Sequence, residues 1–303
     1  MAGSGQPDWA GLLKWSLAHS DGTAPAREIS DEERQWFAEA MKAHTVDDVA
    51  IMQQIGAFLV KESEDGVSEE EMVQTKEDLL QELMDIVDHV DRARDLKVIG
   101  GFQTVIDLLK SKHDGLRSRA AELVSVVVQN NLVVQEWALG FGVLPVLVTL
   151  LKDEKATVVV KSILALSSLV QNYPAAIAAL KEEGGLGKVC ELVASDDPRT
   201  KVKAMRLVAN ICVTKEDCTE GINETTKTII AAISNEDAQI REAALRLLSC
   251  WTSKLKPLPQ EYAPQLKQAV EARLAAIRGI APGEDRDAVM EEEDLCGLIV
   301  GQI

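Results

Sequence analysis

The sequence predicts an all-α chain built from about four stacked helical units, and three observations carry that expectation. The core must be assembled from Leu, Val, Ile and Ala, because apolar residues make up 46% of the 303 residues and aromatics only 4%. No proline occurs between Pro25 and Pro145, and proline costs a helix interior about 3 kcal/mol. A short pattern also returns at a near-constant interval along the second half of the chain.

The elements follow in order. Residues 1–29 contain Pro7, Pro25 and many small residues, and read as a flexible segment around one apolar patch, Leu12-Leu13-Lys14-Trp15-Ser16-Leu17. Ser30 and Glu33 form an S-x-x-E capping box that opens a helix through Trp36, Phe37 and Met41. Thr45, with Asp48 three residues on, opens a second helix whose Val49, Met52, Ile55 and Leu59 fall at helical spacing. A polar loop at 61–67 precedes a second box, Ser68 and Glu71, and a wide apolar stripe from Leu79 to Val90. The expected division is therefore a flexible segment 1–29, N-terminal helices and linker 30–76, a repeat domain with capping helices 77–280, and an acidic tail 281–303.

Ala120, Ser162, Ala204 and Ala244 each stand near the head of a similar hexapeptide, separated by 42, 42 and 40 residues. Gln129-Asn130 and Gln171-Asn172 are also 42 apart, and Gly101, Gly142 and Gly185 precede short apolar stretches. Each unit reads as a brief helix, a short helix, a turn and a longer helix, which must stack on its neighbours to bury its apolar face. A period of about 40–47 residues is that of armadillo or HEAT repeats. The fold expected is a right-handed armadillo-like superhelix of about four repeats with an N-terminal helical capping region.

Charge and cysteines exclude several functions. The net charge is -17, yet residues 116–260 carry a net +1 while the rest is acidic. Acidic ends favour solubility, and a chain this negative is not expected to bind nucleic acid, which takes many cations. No apolar run nears the roughly 20 residues that span a bilayer, and no signal peptide is visible. Five scattered cysteines without a C-x-x-C pair fit reduced thiols in a cytosolic or nuclear protein.

No catalytic or cofactor constellation emerges. The four His residues show no H-E-x-x-H spacing, and G-x-S-x-G is absent. Gly184-Gly185-Leu186-Gly187-Lys188 fails as a phosphate loop, because Glu182 stands where the first glycine belongs and Val189 where Ser or Thr belongs. No enzyme, metal or cofactor is expected.

The long helix of each repeat is expected to line the concave groove. A register at 119, 122, 126, 130; 161, 164, 168, 172; 203, 206, 210, 214; and about 242, 246, 250, 254 puts each set on one helix face. Its selected polar members are Arg119, Glu122, Asn130, Lys161, Asn172, Lys203, Arg206, Asn210, Arg246 and Lys254, six cations and one anion. One reading is a face for an extended acidic protein surface. The other is that long basic stems cover apolar helix surface.

Leu12-Leu13-Lys14-Trp15-Ser16-Leu17-Ala18-His19-Ser20 with the following Asp-Gly, Asp91-Arg92-Ala93-Arg94-Asp95-Leu96, and Leu116 to Ala121 through Val128 to Asn131 resemble the Fes-type family of armadillo nucleotide-exchange factors, also called the heat-shock-protein-70-binding-protein family. The helices at 30–60 look like its plant branch. The resemblance covers about residues 9–20 and 77–255. It implies a cytoplasmic, monomeric co-chaperone that grips lobe II of the ATPase domain of the cytosolic 70-kDa heat-shock chaperone and promotes release of ADP and then of substrate. It implies contacts at Ala93 and Lys203, and a substrate-mimic segment carrying Leu12, Leu13, Trp15 and Leu17. The alternative is a passive armadillo scaffold holding an extended acidic segment. The tryptophan–asparagine ladder of nuclear-import adaptors is not expected, since Trp9, Trp15, Trp36, Trp137 and Trp251 do not fall in that pattern.

Overall fold

A computed structural model describes residues 30–32, 34–36, 47–63, 65–214, 219–254 and 261–303. The chain separates into two units, 1–48 and 49–303. In the first, residues 31–32 and 34–36 are helical, and the Arg34 amide donates to the Ser30 carbonyl at 2.9 Å. Glu33, the expected partner of Ser30, lies outside the described residues, as do Leu12, Leu13, Trp15 and Leu17.

The second unit is a stack of helices, with no strand among the described residues. Its first long helix, Glu69–Val87, starts where the capping box predicts. The Ser68 hydroxyl accepts from the Glu71 amide at 3.2 Å, and the Ser68 amide donates back to Glu71 Oε2 at 3.0 Å. Met72, Leu80, Leu83, Met84 and Val87 form its buried stripe.

Three-helix repeats follow: Val90–Val98, Gly101–Leu109, Asp114–Val128; then Leu132–Gly140, Val143–Leu150, Ala156–Val170; then Pro174–Glu182, Gly185–Glu191, Pro198–Val213. The next unit has two described helices, Thr219–Ala232 and Ala238–Lys254. The third helices pack in succession as an inner row, and Glu69–Val87 packs ahead of them as its first member.

Backbone conformation fixes the repeat frame. Gly100, Gly142 and Gly184 take positive φ of 75°, 77° and 64°, which glycine adopts without steric cost. These are the equivalent positions, 42 residues apart, and they shift by one residue the frame based on Gly101 and Gly185. The phosphate-loop look-alike is thus a left-handed turn at Gly184 followed by the helix Gly185–Glu191. Pro198 starts the third inner helix, and the Asp197 carboxylate caps it by accepting from the Thr200 amide at 2.7 Å.

Ala120, Ser162, Ala204 and Ala244 are completely buried. Small side chains there let successive inner helices approach closely while Leu123, Leu166, Leu207 and Leu247 fill the core on either side. Trp251 is also completely buried, a core residue as its register position indicates.

Residues 281–303, expected as an acidic tail, contain two helices, Glu284–Asp287 and Met290–Val300. The latter packs on Ala238–Lys254 and closes the inner row. Glu292, Cys296 and Ile299 supply a buried stripe at i, i+4, i+7 spacing, which the acidic composition conceals. Glu292 is accommodated because Arg241 and Arg273 surround it.

No single described helix is long and apolar enough to cross a membrane. The pair Leu132–Gly140 and Val143–Leu150 has the composition but bends by 80° between its halves.

Candidate functional site

The inner row presents side chains in the predicted register. On Asp114–Val128 these are Arg119, Glu122 and Val126; on Ala156–Val170, Lys161, Leu164 and Ser168; on Pro198–Val213, Lys203, Arg206 and Asn210; on Ala238–Lys254, Glu242, Arg246 and Cys250. All are half-buried or exposed, and the residues between them are mostly buried. The predicted register thus falls on a solvent-accessible side of these helices.

It did not identify the electrostatics of that face. Glu122 is bracketed by two cations, Arg119 at 3.3 Å and Lys161 at 2.5 Å. Arg119 also donates to Gln81 Oε1 at 2.9 Å, which ties the face to the capping helix. At the other end Glu242 lies 3.3 Å from Arg246 and 3.9 Å from Arg206, and Glu291 of the closing helix also pairs with Arg246. The stripe is thus less cationic than six cations against one anion. Glu242 sits on a register position and belonged in that count, while Glu291 arrives from a segment with no place in the register.

Lys203 differs from these neighbours. No carboxylate lies within 4 Å of its ammonium among the described residues. Partial burial, followed by the positive charges of Arg206 and Lys161, pushes its pKa below the ordinary lysine value. A cation held among cations on a half-desolvated surface favours an incoming anion, because the cost of crowding charge is already met in the free chain.

Asn130 and Asn172 have positive φ, 53° and 55°. Their repeated spacing therefore reflects left-handed turns after the inner helices, a conformation asparagine tolerates better than other non-glycine residues. Both are exposed, as is Asn210. Ala93 is 2% exposed, packed in the core beneath Val90–Val98, so its side chain offers no free surface. The Lys254 side chain lies outside what is described.

No group of three or more metal-ligating side chains occurs among the described residues. His113 Nε2 lies 3.1 Å from Glu69 Oε1, an ordinary surface pair. None of Cys190, Cys212, Cys250 and Cys296 is in a disulfide among the described residues, and burial, followed by the Glu292 charge, pushes the Cys296 thiol up to about 11.

A family model described as the SIL1/FES1/HPBP1 C-terminal domain matches residues 92–253, and one described as nucleotide exchange factor Fes1 matches residues 10–96. Hsp70-binding protein 1 of Rattus norvegicus is 28% identical over 253 residues, covering 78% of this chain and 70% of the relative. Hsp70 nucleotide exchange factor FES1 of Gibberella zeae is 28% identical over 176 residues, 57% of this chain and 81% of the relative. Among solved structures, a designed armadillo repeat protein superposes with a TM-score of 0.64 at 16% identity, over 83% of this chain and 99% of its own. That likeness establishes the armadillo-like fold.

Proposed function

The chain belongs to the SIL1/FES1/HPBP1 family, and from that premise we propose that it is a nucleotide-exchange factor, a non-catalytic co-chaperone that binds the ATPase domain of a cytosolic 70-kDa heat-shock chaperone and promotes ADP release. Relatives named Hsp70-binding protein 1 and Hsp70 nucleotide exchange factor FES1 support this reading. The observation that carries it to particular residues is Lys203, uncompensated between Lys161 and Arg206 at the middle of the inner row.

The inner row grips lobe II of the ATPase domain, with Lys203 receiving a carboxylate of the partner. Lys161 and Arg206 flank that contact, while Arg119, Glu122 and Arg246 hold the face in register through their own pairs. Gripping accelerates release only if the factor binds the open, nucleotide-poor chaperone better than the closed one. By linkage, nucleotide weakens the factor's binding by the same ratio that the factor weakens nucleotide binding. Ala93, buried on Val90–Val98, acts as a small residue that lets that helix pack.

The test is stopped-flow release of a fluorescent ADP analogue from the chaperone's ATPase domain. The wild-type chain accelerates release. Lys203→Glu keeps the helicity and weakens chaperone binding by at least about tenfold, the scale of a lost charge-assisted contact plus a new repulsion. Binding without acceleration overturns the exchange reading in favour of a passive scaffold. Unchanged affinity in Lys203→Glu overturns the proposed face.

A further inference from the structure

The repeats supply an internal control. The outer helices Val90–Val98, Leu132–Gly140 and Pro174–Glu182 begin 42 residues apart, so each position in one unit has an equivalent in the next. In the second repeat the buried Gln135 side chain caps the end of the inner helix Ala156–Val170. Its Nε2 donates to the carbonyls of Ser168, Leu169 and Gln171 at 2.8, 3.1 and 3.0 Å. A helix end leaves such carbonyls without an intrahelical donor.

One repeat later, 42 residues on, Ile177 stands at the place of Gln135, and Asn210, Ile211 and Val213 at the places of the three acceptors. Ile177 is buried and has no donor to offer. The Thr214 hydroxyl and amide turn back on the Ile211 carbonyl at 2.7 and 3.1 Å. Among the described residues, no side chain donates to the carbonyl of Asn210 or of Val213. Ile177, Asn210, Ile211 and Val213 instead line a cavity of about 190 Å³, together with Ser167 and Asn172. Liquid water takes about 30 Å³ per molecule, so this space admits a polar side chain. Asn172 and Asn210 are exposed positions of the inner-row register, so the cavity opens onto that row.

We propose that this cavity receives the carboxamide of an Asn or Gln side chain from the protein that the inner row grips, a reading that rests on the exchange-factor assignment. The incoming NH₂ group takes the place that the Gln135 amide holds one repeat earlier. The surroundings select a neutral donor. A carboxylate has no proton to give to a carbonyl. An ammonium or guanidinium would enter beside Arg206 and Lys203, one and two turns before Asn210 on the same helix face, where like charges repel. The carboxamide oxygen accepts from the hydroxyl or amide groups that Ser167, Asn172 and Asn210 bring to the cavity wall.

Two measurements on the full chain test it. In the first, propionamide, the glutamine side chain without its backbone, is titrated against the ¹⁵N-labelled chain, with propionate as the control that lacks the donor. Propionamide shifts the amide resonances of residues 210–214 saturably, with a Kd in the millimolar range expected of so small a ligand, and propionate does not. Ile177→Gln, which supplies the chain's own amide, abolishes the shift. In the second, Ile177→Gln and Val213→Trp each weaken binding to the chaperone's ATPase domain by about fivefold or more at unchanged helicity. Val213 is 54% exposed, so its variant blocks the cavity without disturbing the core, whatever Ile177→Gln does to folding. Absence of a saturable propionamide shift overturns the carboxamide site, however the chain treats the chaperone. A propionamide shift combined with wild-type chaperone affinity in both variants overturns the partner's use of the site. A wild-type chain that does not bind the ATPase domain overturns the exchange-factor reading and with it this partner, while the propionamide titration alone decides the cavity.

Discussion

Glu292 closes on Arg241 as Asp153 closes on Arg117. The Arg241 guanidinium meets Glu292 through Nε at 3.1 Å and Nη2 at 2.9 Å, and Arg117 meets Asp153 through Nε at 2.8 Å and Nη2 at 3.0 Å. In both cases Nη1 donates to two backbone carbonyls of the preceding turn, Asn235 and Glu236 or Ser111 and Lys112. Each arginine is the fourth residue of an inner helix. One planar fork thus joins the turn before the helix to the unit that follows it. The last fork fastens the closing helix Met290–Val300, and Arg273 adds a third link to Glu292 at 2.7 Å.

Removing the carboxylate of Glu292 should be costly. Its side chain is 5% exposed, and those of Arg241 and Arg273 are 12% and 17% exposed. Glu292→Ala leaves two buried guanidinium groups without a counter-charge, a loss of about 3–5 kcal/mol. Urea unfolding reads it as a lower midpoint. Hydrogen exchange should show the greatest loss of protection in residues 290–300.

Asp153 gives a pH signature. Burial pushes its carboxyl up, but the Arg117 hydrogen bond, the Lys155 amide and the two positive charges outweigh burial and hold it below its ordinary value. The group stays ionised in the fold at pH values where the unfolded chain has begun to protonate it. Its stabilisation is complete above about pH 4 and drains as pH falls through the depressed folded value. The stability gap between wild type and Asp153→Asn, about 1–3 kcal/mol, should be constant from pH 7 to 5 and narrow toward pH 3. A gap that persists unchanged to pH 3 removes this account.

Ser162 is the exception among the small residues that separate the inner helices. It is fully buried, and its hydroxyl has no hydrogen-bond partner among the described residues. Ser162→Ala should be neutral or stabilising by up to about 1 kcal/mol, since it removes an unsatisfied polar group. Ser162→Leu should destabilise by about 1–3 kcal/mol through overpacking. Thermal unfolding of the two variants separates the contribution of size from that of polarity.

The repeat frame was legible in the sequence because it is a matter of local chemistry at fixed spacing. Ala120, Ala204 and Ala244 mark close helix approach, and the Ser68–Glu71 box marks a helix start, whatever surrounds them. The closing helix was missed although Glu292, Cys296 and Ile299 stand at helical spacing. A buried glutamate reads as polar until its two arginines, 51 and 19 residues away, are in place.

The candidate face divides in the same way. The sequence by itself determined which side chains point along the inner row, since a helical period fixes a face. Only the tertiary structure decided that Glu291 pairs with Arg246, that Glu122 holds Lys161, that Ala93 is buried and that Lys203 has no counter-charge among the described residues. The physical reason is range: periodicity is set by neighbours three or four residues away, whereas Coulomb interaction and burial depend on neighbours in space, here 39 to 45 residues apart along the chain.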